Sequence, residues 1–172
     1  MLDWRHDTSV DAKGRVGLAQ RHREKFGPVV ALLKWNDHLI VFAPDKLEKL
    51  LGFVARRLSF DSEEGTRNFF DPKLQRDRRY FYSNMVELDF DAQGRLTIPK
   101  GLRDAVDLYS DVVWLGCGEY AELWATKHHL ADCARWEEAG GFDRLFGSTP
   151  PPMNPSAQDG QPGDEGSGRA QV

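Results

Sequence analysis

The sequence predicts an α+β fold made from two copies of one small module. Three observations carry that expectation. Val10-Asp11-Ala12-Lys13-Gly14-Arg15-Val16 returns as Phe90-Asp91-Ala92-Gln93-Gly94-Arg95-Leu96, with Asp, Ala, Gly and Arg at identical spacing. Each copy is followed by a short amphipathic helix start, two apolar strands and another helix. A unit of about 70 residues buries little surface alone, so the two modules are expected to share one core.

The first module begins with a hairpin whose arms are Thr8 to Val10 and Arg15 to Leu18. Asp11 can accept from backbone amides just ahead of it, and Gly14 takes a positive φ without a Cβ clash. A four-residue connection ending in Gly fits a type I turn with a bulge, which would project Lys13 and Arg15 from the tip or its margin. Ala19 to Phe26 reads as two basic helical turns stopped by Gly27-Pro28. Val29 to Leu33 and Leu39 to Phe42 are strands about a Trp35-Asn36-Asp37 turn. Pro44 opens a helix from Asp45 to Arg57, with Leu47, Leu50, Leu51 and Val54 at helical period.

Residues 59–68 are polar and form the expected linker. Phe69-Phe70 and Lys73 to Phe81 predict a further helix, with Pro72 standing between them. Its Arg76 to Tyr82 segment mixes basic and aromatic residues, which suits phosphate and base contact or, more simply, aromatics packed under a solvated basic face. The second module repeats the first. Met85 to Phe90 and Arg95 to Ile98 flank the Asp91 turn, and Pro99 takes the first helical position. Val112 to Leu115 and Glu122 to Ala125 are strands, and Thr126 to Ala139 is a helix with Leu130, Ala134 and Trp136 inward. Residues 148–172 carry almost nothing apolar and are expected to be disordered.

Composition narrows the function classes. With 40% hydrophobic and 29% charged residues the chain reads as soluble and globular. No apolar run approaches the roughly 20 residues of a membrane span, and the N-terminus lacks a signal-peptide core, so a cytoplasmic location is expected. Cys117 and Cys133 read as ordinary reduced thiols. Residues 1–103 hold 19 Lys and Arg against 15 Asp and Glu, whereas residues 104–172 hold 4 against 12. A basic half is compatible with an anionic partner despite a net charge of −4.

Enzyme signatures are missing: there is no phosphate-binding Gly-rich loop, zinc ligand set or nucleophile elbow, and neither a cofactor nor a metal is expected. His128-His129 point about 100° apart on a helix and read as surface residues. Asp89 and Asp91 resemble a carboxylate pair, but Asp91 already serves its turn. The repeated Arg is different, because turn geometry needs Asp and Gly but not Arg. Its planar fork suits phosphates and guanine edges. Arg15 and Arg95 are therefore candidate DNA contacts, with Lys13, Arg21, Arg23 and Arg103 in support. Two such tips would address two sites on one duplex. A competing internal role has each Arg bracing its own Asp.

The two D-x-x-G-R segments, the run Leu96-Thr97-Ile98-Pro99 with Leu102-Arg103 beyond it, Val112 to Gly116 and Glu122-Leu123-Trp124 together resemble the MraZ family of bacterial transcriptional regulators. The resemblance covers about residues 1–139. It implies tandem AbrB-like swapped-hairpin modules forming a pseudo-dimeric β-barrel flanked by short helices. It also implies a DNA-binding repressor of the cell-division and cell-wall gene cluster, nucleoid-associated, bound to promoter direct repeats of double-stranded DNA as a ring-shaped homo-oligomer. The family's D-x-x-x-R positions map onto Asp11 and Arg15 and onto Asp91 and Arg95. The expected division is a first module at 1–58, a linker and connecting helix at 59–82, a second module at 83–139 and, outside the resemblance, the tail at 148–172. The first module departs from the pattern, with Ala19 for Pro, His22 for an aromatic, and Leu2-Asp3-Trp4 for Phe-Arg-Gly. The alternative is an antitoxin-like protein-interaction module on the same fold.

Overall fold

The computed structural model describes residues 4–58 and 70–147, so the expected linker at 59–68 and tail at 148–172 lie outside the described residues. The order is β1 (Arg5–Ser9), β2 (Arg15–Gly17), α1 (Gln20–Arg23), β3 (Val29–Trp35), β4 (His38–Phe42) and α2 (Pro44–Leu58). Then come α3 (Pro72–Ser83), β5 (Met85–Asp89), β6 (Arg95–Thr97), α4 (Lys100–Val106), β7 (Asp111–Gly116), β8 (Ala121–Ala125), α5 (Thr126–Glu138) and α6 (Gly141–Phe146).

Six strands form one antiparallel sheet in the order β1-β7-β8-β4-β3-β5, while β2 and β6 pair only with each other. The fold is thus mixed α+β with an open sheet, which corrects the expected closed barrel. The expected hairpin between the arms around Asp11 shrinks to one bridge, Val10 to Val16. The reason lies in where the backbone groups find partners. Leu18 N donates to Gly94 O at 3.1 Å and Ile98 N to Gly14 O at 3.0 Å, so the strand after each turn is satisfied by its counterpart. That leaves β1 to pair with β7, from the other end of the chain, and β5 to pair with β3. Both edge strands turn charges outward, Arg5 and Asp7 on β1, Glu87 and Asp89 on β5, which disfavours further strand addition.

One core serves both copies. Val16 and Leu96, opposite each other in the β2–β6 ribbon, lie with Val30, Leu32, Leu39, Val41, Val112, Trp114 and Leu123 of the sheet. Trp114 is fully buried, and its indole Nε1 donates to Gly17 O at 3.1 Å, which ties sheet to ribbon.

Several helix boundaries differ from expectation. α1 stops at Arg23, and Gly27 turns away with φ 83°. α3 begins at Pro72, because Asp71 caps the amides of Lys73 and Leu74 and Pro suits a first helical position; Phe70 is helical just before that cap, and Phe69 lies outside the described residues. α4 starts at Lys100, one residue later than expected, with Pro99 before it at φ −54° and ψ 139°, and Ala19 precedes α1 with nearly the same φ −59° and ψ 142°. Tyr80 and Tyr82 are exposed, against the reading of aromatics packed beneath a basic face.

On α5, Leu130 is 58% exposed and Ala134 is exposed, contrary to their expected inward placement. Polar residues take the packed face instead. His128 and His129 are half-buried, His129 meets the Trp124 ring at 5.9 Å, and Cys133 Sγ lies 3.6 Å from the His129 ring. Both cysteines are free thiols. The chain divides into two compact units after Ala134. In the second unit, Trp136 meets Phe142 edge-on with centroids 4.9 Å apart. Among the described residues, no helix is long and apolar enough to cross a membrane.

Candidate nucleic-acid interface

The two repeated turns have the same hydrogen-bond pattern to within a few tenths of an ångström. Asp11 Oδ1 accepts from the amides of Lys13 at 2.8 Å and Arg15 at 3.0 Å, and Asp91 Oδ1 from those of Gln93 at 3.0 Å and Arg95 at 2.9 Å. Gly14 and Gly94 close the turns with φ 76° and 77° and each donates to its Asp carbonyl at 2.8 Å. The second carboxylate oxygen holds the Arg side chain. Arg15 Nε and Nη2 both lie 2.6 Å from Asp11 Oδ2, and Arg95 Nε and Nη2 lie 2.8 and 2.7 Å from Asp91 Oδ2. The Arg15 side-chain bond, then the turn amides, holds the Asp11 carboxyl down at about 2. Arg95 likewise pulls Asp91 below the ordinary carboxylate value. Both acids are therefore ionised at neutral pH, and the braces are charge-assisted.

Strand pairing then brings the two arginines to one surface. In the ribbon, Arg15 stands opposite Thr97 and Arg95 opposite Gly17, with Val16 and Leu96 between them and buried. Side chains alternate along a strand, so Arg15 and Arg95 share the outer face. Their Cα positions are offset by two residues on adjacent strands, about 7 Å along the ribbon. Arg95 passes over Gly17, with its Cγ 3.9 Å from where a Gly17 Cβ would stand, an ordinary contact distance. The arginines expected to address two separate sites thus lie side by side.

Two of the supporting arginines lie over the turns, each from the opposite half. Arg103 of α4 lies across Gly14, where an added Cβ would fall 2.6 Å from its Cζ. Its Nε donates to Ile98 O at 3.1 Å. Arg23 of α1 lies across Gly94 in the same way and rests 6.0 Å from the Phe90 ring centroid. Each turn is therefore covered by an arginine of the other copy. Lys13 is exposed at the tip. Arg21 is not drawn to either turn, since its Nε donates to His22 at 3.1 Å.

The departures at Ala19 and His22 have structural counterparts. His22 is buried and stacks on Trp4 at 4.0 Å, so a ring still fills the aromatic position. Burial, with Arg21 nearby, lowers its pKa and favours the neutral ring. Asp3 lies outside the described residues. Gln93 and Gly17 are residues that sequence reasoning passed over. Gln93 was detectable as the repeat partner of Lys13, whereas Gly17 acquires its place only through the ribbon register. Among the described residues, no three His, Cys, Asp or Glu side chains gather as a metal site.

The family model described as "MraZ protein, putative antitoxin-like" matches residues 81–137. Transcriptional regulator MraZ of Syntrophomonas wolfei is 32% identical over 69% of this chain and 77% of its own length. Its namesake in Halothermothrix orenii is 30% identical over 74% and 81%, and that of Acetivibrio thermocellus 31% over 80% and 85%.

Proposed function

The chain belongs to the MraZ family, a family of transcriptional regulators and not of enzymes, and from that premise we propose that it regulates transcription by binding double-stranded DNA through the β2–β6 ribbon. The observation that carries the reading is the shared outer face of Arg15 and Arg95, each oriented by its own carboxylate and flanked by Arg103 or Arg23. A two-stranded ribbon fits the major groove, and the unbraced Nη1 edge of each guanidinium remains to donate to phosphates or guanine. Asp11, Gly14, Asp91 and Gly94 set the turns. Lys13, Arg23 and Arg103 supply phosphate contacts, with Arg21 more distant.

The finer reading is a repressor acting on promoter direct repeats, with the cell-division and cell-wall cluster as target, in the cytoplasm and on the nucleoid. In the same reading the chain is a tandem of AbrB-like swapped-hairpin modules, at 1–58 and 83–139, that assembles as a ring-shaped homo-oligomer. Pairing of β1 with β7 and of β5 with β3 supports exchange between modules. A protein-interaction role is the second reading, favoured by the antitoxin-like wording of the family description.

Titration of labelled promoter fragments tests the proposal. Arg15→Ala and Arg95→Ala are expected to weaken binding at least about 10-fold, within the range for a specific base or phosphate contact. Lys46→Ala, which removes an ion pair to Glu119, should change it little. Parent-like binding by both folded arginine variants would overturn the reading.

A further inference from the structure

The two ends of the ribbon are alike in backbone but differ in chemistry. At the first end the residue between Asp and Gly is Lys13, and at the second it is Gln93. Gln93 Oε1 accepts from Arg95 Nη2 at 2.6 Å. That bond decides the amide's orientation, because a guanidinium only donates and must face the oxygen. The Gln93 NH2 is thereby directed away from Arg95, and the oxygen keeps a second lone pair. Gln93 is exposed, so both groups remain available to a ligand. The side chain is consequently a pre-oriented donor–acceptor pair beside an arginine fork. At the first end, Lys13 offers a flexible point charge with donors only.

We propose that the two ends have different tasks: Gln93, oriented by Arg95, reads an adenine edge, while Lys13 anchors the opposite end to phosphate. This rests on the DNA-binding reading above. Adenine is the base that matches, since its N7 accepts from the Gln amide and its N6 amino group donates to the remaining lone pair. The adjoining Arg95 favours a neighbouring guanine or a phosphate. The ribbon therefore has a polarity, with different chemistry at its two ends.

The test is selection of bound duplexes from a randomised pool with the full chain, comparing parent, Gln93→Ala, Gln93→Lys and Lys13→Gln, together with salt titration on the selected site. The parent is expected to enrich an adenine that Gln93→Ala loses, with discrimination at that position falling at least about 5-fold. Gln93→Lys should lose the same adenine and steepen the log–log salt slope by about 1, whereas Lys13→Gln should flatten it by about 1 and keep the motif. An unchanged motif with Gln93→Ala, or an equal motif change with Lys13→Gln, overturns the assignment while DNA binding stands. If the parent enriches no motif, the DNA-binding reading fails and this assignment with it.

Discussion

Replacing Gly14 with Ala perturbs the turn in two separable ways. The backbone there has φ 76°, and an L-residue with a Cβ loses about 1–2 kcal/mol in that region. The new Cβ would also fall 2.6 Å from Arg103 Cζ, so the side chain must leave. Leaving breaks the Nε bond to Ile98 O, which contributes about 0.5–1.5 kcal/mol. The total is about 1.5–3.5 kcal/mol. Gly27 provides the control, because its φ is 83° but nothing lies within 4 Å of where a Cβ would stand, so Gly27→Ala should cost only about 1–2 kcal/mol. In an Arg103→Ala background the collision is gone, and Gly14→Ala should fall to the Gly27→Ala value. The assay is urea unfolding at fixed protein concentration, where about 2 kcal/mol moves the midpoint by about 1 M for a typical slope. The expected coupling between Gly14→Ala and Arg103→Ala is about 1 kcal/mol, above the scatter of independent sites. Coupling below about 0.3 kcal/mol would show that Arg103 does not occupy the space over Gly14.

Other expectations follow from the same contacts. Ala19 already has proline-like dihedrals matching those before α4, so Ala19→Pro should raise stability by about 0.4–1 kcal/mol in the same urea assay. The folded Asp11 carboxyl is depressed from 3.8 to about 2, so its contribution is complete above pH 3.8 and is lost as pH falls towards 2. Asp11→Asn should therefore flatten the fall of the urea midpoint between those pH values, and an unaltered profile would exclude the brace. Trp114→Ala removes a fully buried ring and the donor to Gly17, and should cost about 3–5 kcal/mol by calorimetry or urea melts.

The turns were legible because their chemistry is local. Asp11 and Gly14 act on amides within four residues, and the copy at Asp91 and Gly94 does the same. The core strands were legible for a similar reason, since Val30 to Leu33 and Val112 to Trp114 are apolar runs that the core buries. The packed face of α5 was not, because His128, His129 and Cys133 occupy positions where an apolar period points to Leu130 and Ala134. Nothing in that stretch records that Trp124 would lie beside it to accept a histidine ring.

The sequence by itself determined two equivalent Asp–Gly turns and an arginine after each, since each depends on neighbours along the chain. Tertiary structure alone decided what those arginines face. Pairing of β2 with β6 placed Arg15 and Arg95 on one surface, and the closeness of α4 to Gly14 and of α1 to Gly94 laid Arg103 and Arg23 over them. Those relations join residues about 70 to 90 positions apart. They are selected by the shared burial of Val16, Leu96 and Trp114, a property of the assembled core that no local stretch contains.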